Sequence, residues 1–304
     1  MATLKDIKAR IRTVSSIRNI TRAMQLVAAA KLTRAQERAH TVRPYADEMD
    51  AILGALAAAS GGDEGADASM EMAFVPDTAP IRTTRAQLFE QREERRPGLV
   101  LFTSDRGLCG AFNSNLIRGA QKFLAENEGK ECRLVLLGKK GYQFFRRRGA
   151  SILYHRTGLS DRLLLPEIKE ITGKLVELYV SGEVDALYLI YAKSIRAAMY
   201  RVTMQKFLSI PPVEGPTGGD TYILEPDRES LFATLIPLYA TTTIFSALAD
   251  SFASEYGAKM AAMQQATKNA EERIADLVIE RNRLRQATIT KEIAEIVGGA
   301  EALR

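Results

Sequence analysis

Residues 256–288 read YGAKMAAMQQATKNAEERIADLVIERNRLRQAT, and their hydrophobic pattern decides the predicted fold. Steps of four and three residues alternate along the positions Tyr256, Met260, Met263, Thr267, Ala270, Ile274, Leu277, Arg281, Leu284 and Thr288. A heptad repeat of this kind indicates a coiled-coil seam, although its threonines and arginine make it impure. No glycine or proline occurs between Gly257 and Gly298. We therefore predict a long C-terminal helix over residues 229–304.

The N-terminal end carries a matching pattern. Residues 1–43 contain neither glycine nor proline, and helix-like sequence continues past Pro44 to about residue 59. Apolar residues recur at steps of three or four, at Leu4, Ile7, Ile11, Val14, Ile17, Ile20, Met24 and Val27. Two long helices with one apolar stripe each can bury these stripes on each other, which favours a coiled coil of residues 1–59 with 229–304. The alternative is two separate helices packed on one core.

The positive charge of the chain is concentrated at its N-terminal end. The whole sequence has 42 Lys and Arg residues against 37 Asp and Glu, a net charge of +5. Residues 1–43 alone hold ten basic and two acidic residues, whereas basic and acidic residues balance over 268–304. A basic end favours an acidic partner, which leaves nucleic acid, anionic lipid and an acidic protein surface as candidates.

Composition excludes several other classes of protein. A hydrophobic share of 46% excludes a chain that is disordered throughout. Two cysteines, Cys109 and Cys132, exclude a disulfide framework, and two histidines, His40 and His155, exclude a zinc site built from histidine. No uninterrupted apolar run approaches the ~18 residues of a membrane span, and no secretory signal begins the sequence. We expect the chain to stay in a reducing, cytoplasm-like compartment.

The middle of the chain has a different periodicity. Short apolar runs predict strands at 99–103, 133–137, 151–154, 186–191 and 200–208. Helix-like stretches separate them at 113–127, 139–148 and 166–181. Strands that alternate with helices indicate a mostly parallel sheet covered on both faces, a Rossmann-like α/β domain over residues 97–212. Residues 60–96 have little pattern and are interpreted as a surface insertion or a weakly ordered loop, and residues 213–228 as a loop.

The loop after the first strand of this domain, SDRGLCGAFN at 104–113, invites a nucleotide-binding interpretation. A dinucleotide fingerprint needs three glycines, but only Gly107 and Gly110 are present, and the second strand ends in Gly138 and two lysines instead of a carboxylate. Ser104, Asp105 and His155 are the residue types of a catalytic triad, but the sequence has no strained serine turn of the G-x-S-x-G type. We interpret the loop as a tight turn, with Asn113 or Ser114 as a helix cap and Cys109 as a buried cysteine. A nucleotide-dependent α/β enzyme therefore remains only an alternative function.

A basic helical nucleic-acid-binding protein is the second alternative. The first aromatic residue of the chain is Tyr45, so the basic N-terminal helix offers no platform on which bases stack. Its cations also lie on several helix faces, whereas a groove-binding helix collects them on one.

Three segments of the sequence resemble the gamma subunit of F-type ATP synthases. They are IRNITRAMQLVAAAKL at 17–32, SDRGLCGAFN at 104–113 and RQATITKEIAEIVGGAEA at 285–302. They occur in the family's order, and the resemblance covers nearly the whole chain. It implies an α/β fold plus a long antiparallel coiled coil. The terminal helices form the coiled coil as a shaft, and the central Rossmann-like domain has no nucleotide site.

The resemblance also implies a function. The family's gamma subunit is the central-stalk rotor that couples proton-driven rotation of the c ring to conformational cycling of the catalytic beta subunits. It implies one copy per complex, contacts with alpha, beta and epsilon subunits and with the c ring, no cofactor or metal, no catalysis by the chain itself, and neither nucleic acid nor directly bound nucleotide. It further implies a peripheral position on the cytoplasmic face of a bacterial inner membrane.

Site residues follow from the same resemblance. The expected contacts with a beta-subunit loop are Arg285, Gln286, Thr290 and Glu292. The expected apolar tip, held in a sleeve of partner subunits, comprises Ile289, Ile293, Ile296, Val297, Ala300 and Leu303. The expected packing residues of the shaft are Met24, Val27, Ile274, Leu277 and Leu284.

Overall fold

A computed structural model describes residues 3–59, 69–74, 81–89, 92–196, 198–210 and 228–301. They fall into two compact units, which we call the helix-pair unit (Met1–Ala29 with Lys259–Arg304) and the sheet unit (Ala30–Ala258). The elements in chain order are α1 (Leu4–Ala59), β1 (Ser69–Met72), β2 (Ile81–Thr84), α2 (Arg85–Phe89), β3 (Pro97–Phe102), α3 (Phe112–Glu126), β4 (Arg133–Leu137), α4 (Lys139–Arg146), β5 (Ile152–Arg156), α5 (Leu165–Val180), β6 (Ala186–Arg196), β7 (Met199–Leu208) and α6 (Arg228–Glu301).

The helix-pair unit consists of the N-terminal part of α1 and the C-terminal part of α6. The hydroxyls of Thr21 and Thr267 are hydrogen-bonded at 2.8 Å, and Val14 and Leu277 line one shallow groove farther along the pair. Since the position on α6 rises as the position on α1 falls, the two helices are antiparallel. The predicted C-terminal seam is confirmed at Met263 and Ala270, which are buried together with Thr267 and Leu277.

The predicted N-terminal stripe is only partly correct. Ile17, Ile20 and Val27 are 47%, 56% and 59% exposed, so they do not lie in the seam, and Val27 is not a packing residue of the shaft. The buried positions are Ile7, Thr21 and Ala28. These repeat at multiples of seven, the spacing that keeps one face of a helix on its partner, whereas successive steps of three rotate off that face. The angular position of a residue on the helix, and not its hydrophobicity, therefore decides whether it lies in the seam.

The sheet unit contains a five-stranded sheet in the order β5-β4-β3-β6-β7, parallel except for β7, which is antiparallel to β6. The central strand β3 is buried along its whole length and sends alternate side chains to two cores. Leu99 and Leu101 pack in the core that contains α3, and Val100 and Phe102 in the core that contains α5 and part of α6. This confirms the predicted α/β domain with helices on both faces of the sheet.

The interpretation of residues 60–96 as a patternless insertion is wrong in part. β1 and β2 form an antiparallel pair there, followed by α2. Met72, Phe74 and Leu88 are buried in the core of the sheet unit. The strands are four residues long and their buried side chains are few, so no period was visible in the sequence. Residues 60–68, 75–80 and 90–91, and most of the predicted loop at 213–228, lie outside the described residues.

One helix of the described part of the chain is long and apolar enough, by length and composition alone, to cross a membrane. α6 contains a window with a mean hydropathy of 1.6, although no uninterrupted apolar run of that length exists. Half of that window is buried within the chain itself, and a single helix of this kind is weak evidence for a membrane span.

Candidate interaction surfaces

The carboxyl edge of the parallel sheet, where open α/β sheets bind ligands, is occupied by α6. β6 continues past its last residue paired with β3, and the backbone of Ala192 there is hydrogen-bonded to α6. The hydroxyl of Ser251 accepts from the Ala192 N–H at 3.3 Å, and the hydroxyl of Ser254 donates to the Ala192 carbonyl at 2.9 Å. A cavity beside Phe102 and Phe252 at this edge has a volume of about 30 Å³, which is one water in size and far below a nucleotide site.

The glycine loop at 104–113 uses its polar groups to stabilise its own turn. Asn113 accepts from the backbone N–H of Ser104 at 3.0 Å and donates to the buried sulfur of Cys109 at 3.2 Å. α3 begins at Phe112, and no side chain caps its N-terminus. Asn113 therefore stabilises the loop and does not cap the helix, so the predicted cap is wrong. The carboxylate of Asp105 accepts two backbone N–H bonds, from Lys139 and Gly158, both at 2.8 Å.

The structure does not assemble a catalytic triad from these residues. His155 lies on β5, where its ring stacks on Tyr142 with centroids 4.0 Å apart and planes inclined by 6°. Ser104 is bonded to Asn113 and to the carbonyl of Arg106. Among the described residues, no group of three or more His, Cys, Asp or Glu side chains is placed to hold a metal ion.

A polar cluster fixes α1 and α6 to the loop before α5 within the sheet unit. The Asp161 carboxylate accepts from the Lys31 ammonium at 2.8 Å and from the Tyr256 hydroxyl at 2.6 Å, while Arg38 donates to the Asp161 carbonyl. Partial burial alone would raise the pKa of Asp161, but these hydrogen bonds outweigh it and lower the pKa below its usual value. Burial and the neighbouring carboxylate raise the pKa of Tyr256, which stays a neutral donor.

A second ion pair joins α1 to α6 deeper in the sheet unit. Arg43 donates to the Asp250 carboxylate and to the Ser194 carbonyl, each at 2.7 Å. Burial raises the pKa of Asp250 in spite of Arg43, and burial with the nearby Asp250 charge raises the pKa of Tyr191 to about 12. A buried carboxylate is tolerated only with a partner, so this pair favours one register of the two helices.

In the helix-pair unit, the end of α6 extends past the start of α1. In the register set by Thr21 and Thr267, Leu4 lies opposite Leu284. Residues 285–301 therefore have no described α1 residue opposite them, over roughly 25 Å at 1.5 Å per residue. Every residue from 285 to 296 is exposed. This segment, which we call the terminal extension, contains most of the predicted partner-contact residues.

The structure places the predicted contact residues on the terminal extension, where no other described element contacts them. Arg285, Gln286 and Glu292 are exposed, and the hydroxyl of Thr290 donates only to the Gln286 carbonyl of its own helix. The apolar residues Ile289, Ile293 and Ile296 are 46%, 56% and 72% exposed. The side chains of Val297 and Ala300 lie outside the described set, as does all of Leu303.

The predicted shaft residues divide between buried and exposed positions. Leu277 is 1% exposed, and Met24, Ile274 and Leu284 are half-buried. Val27 is exposed together with Ile17, Ile20 and Leu26. A bare apolar surface of this kind on a helix pair indicates contact with another protein.

Sequence reasoning missed the residues that close the sheet edge and anchor the helices. Ser251, Ser254 and Asp250 are polar residues inside an otherwise apolar stretch of α6, which is a visible signal that their side chains need buried partners. Asp161 lies in a loop and offered no comparable signal.

Three comparisons with known proteins agree with one another. A family model described as ATP synthase matches residues 3–303. A protein of Sorangium cellulosum named ATP synthase gamma chain is 40% identical over 335 residues, and one of that name from Desulfitobacterium hafniense is 42% identical over 305, each covering 100% of both chains.

Solved structures share the fold. A chain of the Euglena gracilis mitochondrial ATP synthase OSCP/F1/c-ring structure matches with a TM-score of 0.61 at 15% identity, covering 99% of this chain and 94% of that one. A chain of the central stalk and c-ring structure of the Tetrahymena thermophila enzyme matches with a TM-score of 0.59 at 24% identity, covering 81% and 99%.

Proposed function

This chain belongs to the ATP synthase gamma chain family, and from that premise we propose that it is the central-stalk rotor of a proton-translocating F-type ATP synthase. In this role it couples proton-driven rotation of the c ring to conformational cycling of the catalytic beta subunits. The chain makes and breaks no phosphoanhydride bond itself; it transmits torque to the subunits that do.

The terminal extension is the single observation that carries this proposal. It is a helix with exposed isoleucines at positions 289, 293 and 296 and with no described α1 residue opposite it. Apolar contact is non-directional, so a sleeve of partner subunits can hold such a tip on its axis while the tip turns. A helix whose apolar residues packed on its own chain would have no surface left for a sleeve.

Partner contacts are proposed for the side of the helix pair as well. The exposed Ile17, Ile20 and Val27 supply apolar area on α1, and the basic residues of 1–43 supply positive charge. Both suit acidic and apolar segments of an alpha–beta hexamer around the shaft. One copy of the chain per hexamer follows from the off-axis asymmetry that a rotor needs.

The sheet unit is proposed as the part that meets epsilon and the c ring, on the cytoplasmic face of a bacterial inner membrane. Its usual ligand edge is filled by α6, with a cavity of about 30 Å³, so the proposal assigns it no nucleotide. This closure disfavours the nucleotide-dependent enzyme as a function. The lack of a base-stacking platform on the basic helix disfavours the nucleic-acid-binding protein.

Four residues are proposed to contact a loop of one beta subunit in a way that depends on that subunit's conformation: Arg285, Gln286, Thr290 and Glu292. A guanidinium can hold a carboxylate through two parallel hydrogen bonds, which is a geometry-sensitive contact. All four side chains are exposed and stand beside the isoleucines of the tip, so a beta-subunit loop can reach them.

The experiment is co-expression of this chain with its alpha and beta subunits. We expect co-purification with one copy of this chain per hexamer. Arg285→Ala with Gln286→Ala should leave co-purification intact and reduce ATP turnover roughly fivefold or more, since a lost coupling contact is worth about 1–3 kcal/mol. Gln264→Ala with Lys268→Ala, exposed on the same helix, is the matched control and should change turnover less than twofold.

Two results would count against the proposal. If the chain fails to associate with alpha and beta subunits, the rotor assignment is wrong. If it associates but both double variants turn over at the same rate, the rotor assignment stands and the role of Arg285 and Gln286 is wrong.

A further inference from the structure

A dense positive patch lies on the sheet unit, away from the basic N-terminal helix. Residues 139–156 contain six basic and no acidic residues. Five of these cations lie at the two ends of the short helix α4, and we call them the basic corner: Lys139, Lys140, Arg146, Arg147 and Arg148. The sixth, Arg156, is paired with Glu170 at 3.2 Å.

The cations of the basic corner have no carboxylate partners among the described residues. The Asp105 carboxylate accepts from the backbone N–H of Lys139 and not from its ammonium, which has no carboxylate partner within the described part of the chain. Lys139 and Lys140 also begin α4, where positive charge opposes the helix dipole. The helix dipole therefore favours the arginines at the end of α4 but does not explain the two lysines at its start.

Two guanidinium groups are held in place by aromatic rings. Arg148 lies 3.6 Å from the centroid of the Phe144 ring, and Arg146 lies 5.7 Å from that of Tyr142. Stacking leaves the N–H edge of a guanidinium free and reduces the entropy lost when it binds an anion. Arg146 and Arg148 are thus positioned donors of the basic corner, and Arg148 also donates one N–H to the Phe144 carbonyl at 3.3 Å.

The basic corner adjoins an open strand. Tyr142 of α4 stacks on His155 of β5, which places α4 beside that strand. β5 is the last strand in the sheet order, and no described strand pairs with its outer edge. An edge strand with free backbone groups is a template on which another peptide segment can add as a strand.

The chemistry of this surface favours a protein over other polyanions. Tyr142 is covered by His155 and Phe144 by Arg148, so neither ring is a free platform for a nucleic-acid base or an anchor for a bilayer. Backbone N–H and C=O groups along a strand edge are matched only by another peptide backbone. Arginine forks pair with carboxylates through two parallel bonds.

We propose that the basic corner and the outer edge of β5 together bind an extended, carboxylate-rich segment of another protein. The segment adds to β5 as a strand and places its carboxylates on Arg146, Arg147 and Arg148. This goes beyond the rotor function, because it assigns one defined surface of the sheet unit and the chemistry of the segment that binds there, neither of which the rotor assignment specifies.

The test measures binding of a labelled decapeptide of alternating Glu and Thr to the full chain by fluorescence anisotropy. At about 0.1 M salt the Debye length is ~10 Å, so binding must come from local charges. We expect saturable binding that the R146Q/R147Q/R148Q variant weakens about tenfold, at a fraction of a kcal/mol per exposed pair. R118Q/K122Q/K130Q removes the same charge from exposed positions on α3 and just beyond it, and should change binding less than twofold.

Three further measurements make the proposal falsifiable. The same peptide with alternate amides N-methylated should bind at least several-fold more weakly, because it cannot add to a strand edge. Equal binding of the methylated peptide, equal losses in the two triple variants, or no saturable binding would overturn the proposal. Tighter binding of oligothymidine or of vesicles containing phosphatidylglycerol would also overturn it, in favour of a phosphate-binding surface.

A folding control accompanies the triple variant. If circular dichroism shows that R146Q/R147Q/R148Q is not folded, R147Q alone replaces it, since Arg147 makes no described side-chain contact. A loss of binding by R147Q that exceeds the loss by R118Q then supports the proposal, and equal losses overturn it.

Discussion

The two units of this protein use the same two helices in opposite ways. In the sheet unit, the apolar residues of α1 and α6 point inward, and polar side chains such as Ser254 and Asp250 bond to neighbouring elements. In the helix-pair unit, the seam is narrow and contains a buried threonine pair, while Ile17 and Ile293 are exposed. The difference shows that within the sheet unit the two helices are mainly held by the chain's own core, whereas in the helix-pair unit they keep exposed apolar residues for other proteins.

The largest expected effect tests how tightly the sheet unit is closed. Gly138 has a φ of +107°, and a Cβ there would lie 1.9 Å from the Thr103 carbonyl oxygen. We expect Gly138→Ala to lower the free energy of unfolding by about 3 kcal/mol or more, from backbone strain and overlap. Chemical denaturation measures this loss.

Gly149→Ala is the matched control for that substitution. Gly149 also has a positive φ, +66°, but a Cβ there would meet nothing within 4 Å. Its cost should be about 1 kcal/mol, that of the left-handed backbone alone. Equal losses in the two variants would show that the turn between β4 and α4 is looser than its geometry indicates.

The next effect tests the ion pair inside the sheet unit. Asp250→Ala leaves Arg43 without its carboxylate, and we expect a loss of about 2–3 kcal/mol in the free energy of unfolding, less than for a fully buried pair because a third of the Arg43 side chain is exposed. Glu71→Ala breaks the exposed Arg82 pair and should cost less than about 0.5 kcal/mol. Similar losses in both variants, measured by denaturation, would remove the distinction between an anchored and a solvated pair.

A third substitution pair tests the helix-pair unit itself. Leu277→Ala empties a buried seam position and should lower stability by about 2 kcal/mol, near the lower end for leucine truncation because the seam is shallow. Ile293→Ala, on the terminal extension, should change it by less than about 0.5 kcal/mol. Hydrogen exchange of amides within 259–284 measures the difference, and a large effect of Ile293→Ala would show that the isoleucine packs within the chain.

The smallest expected effect is on the loss of stability at acidic pH, through Asp161. The pKa of Asp161 is lowered in the folded chain, so its carboxylate contributes stability above its ordinary pKa of about 4, and this contribution is lost as the pH falls through the lowered value. Asp161→Asn should therefore flatten the decline in stability between about pH 5 and pH 2, by less than about 1 kcal/mol for this partly exposed group. Denaturation at several pH values measures it, and parallel curves for both proteins would contradict the assignment.

Much of the architecture was predictable because it depends on local periodicity. The β4 strand was predicted at its observed bounds, 133–137, since four apolar residues in a row after Arg133 suit a strand buried on both faces. The heptad of 256–288 predicted the buried Thr267 and Leu277. In the proposed contact region, Arg285 and Ile293 came from a family resemblance, and the structure adds that both are exposed.

The wrong predictions have a common cause. Each concerned a side chain whose position depends on contacts with residues elsewhere in the chain. Ile17 and Val27 are as apolar as any seam residue, but seam membership is decided by angular position relative to the other helix. Met72 and Phe74 gave too short a pattern to reveal the hairpin that they anchor. Asn113 has the sequence position of a helix cap, yet its side chain bonds back to Ser104.

The sequence by itself determined the alternation of strands and helices, the two long terminal helices and the concentration of positive charge near the N-terminus. These follow from side-chain size, charge and period, which act over a few residues along the chain. The tertiary structure alone decided that α6 closes the carboxyl edge of the sheet, which isoleucines stay exposed, and that the terminal extension runs past α1. Such outcomes depend on contacts between residues far apart in the sequence, from 59 positions for Ala192 and Ser251 to 246 for Thr21 and Thr267. Burial is a property of those contacts and not of the residues.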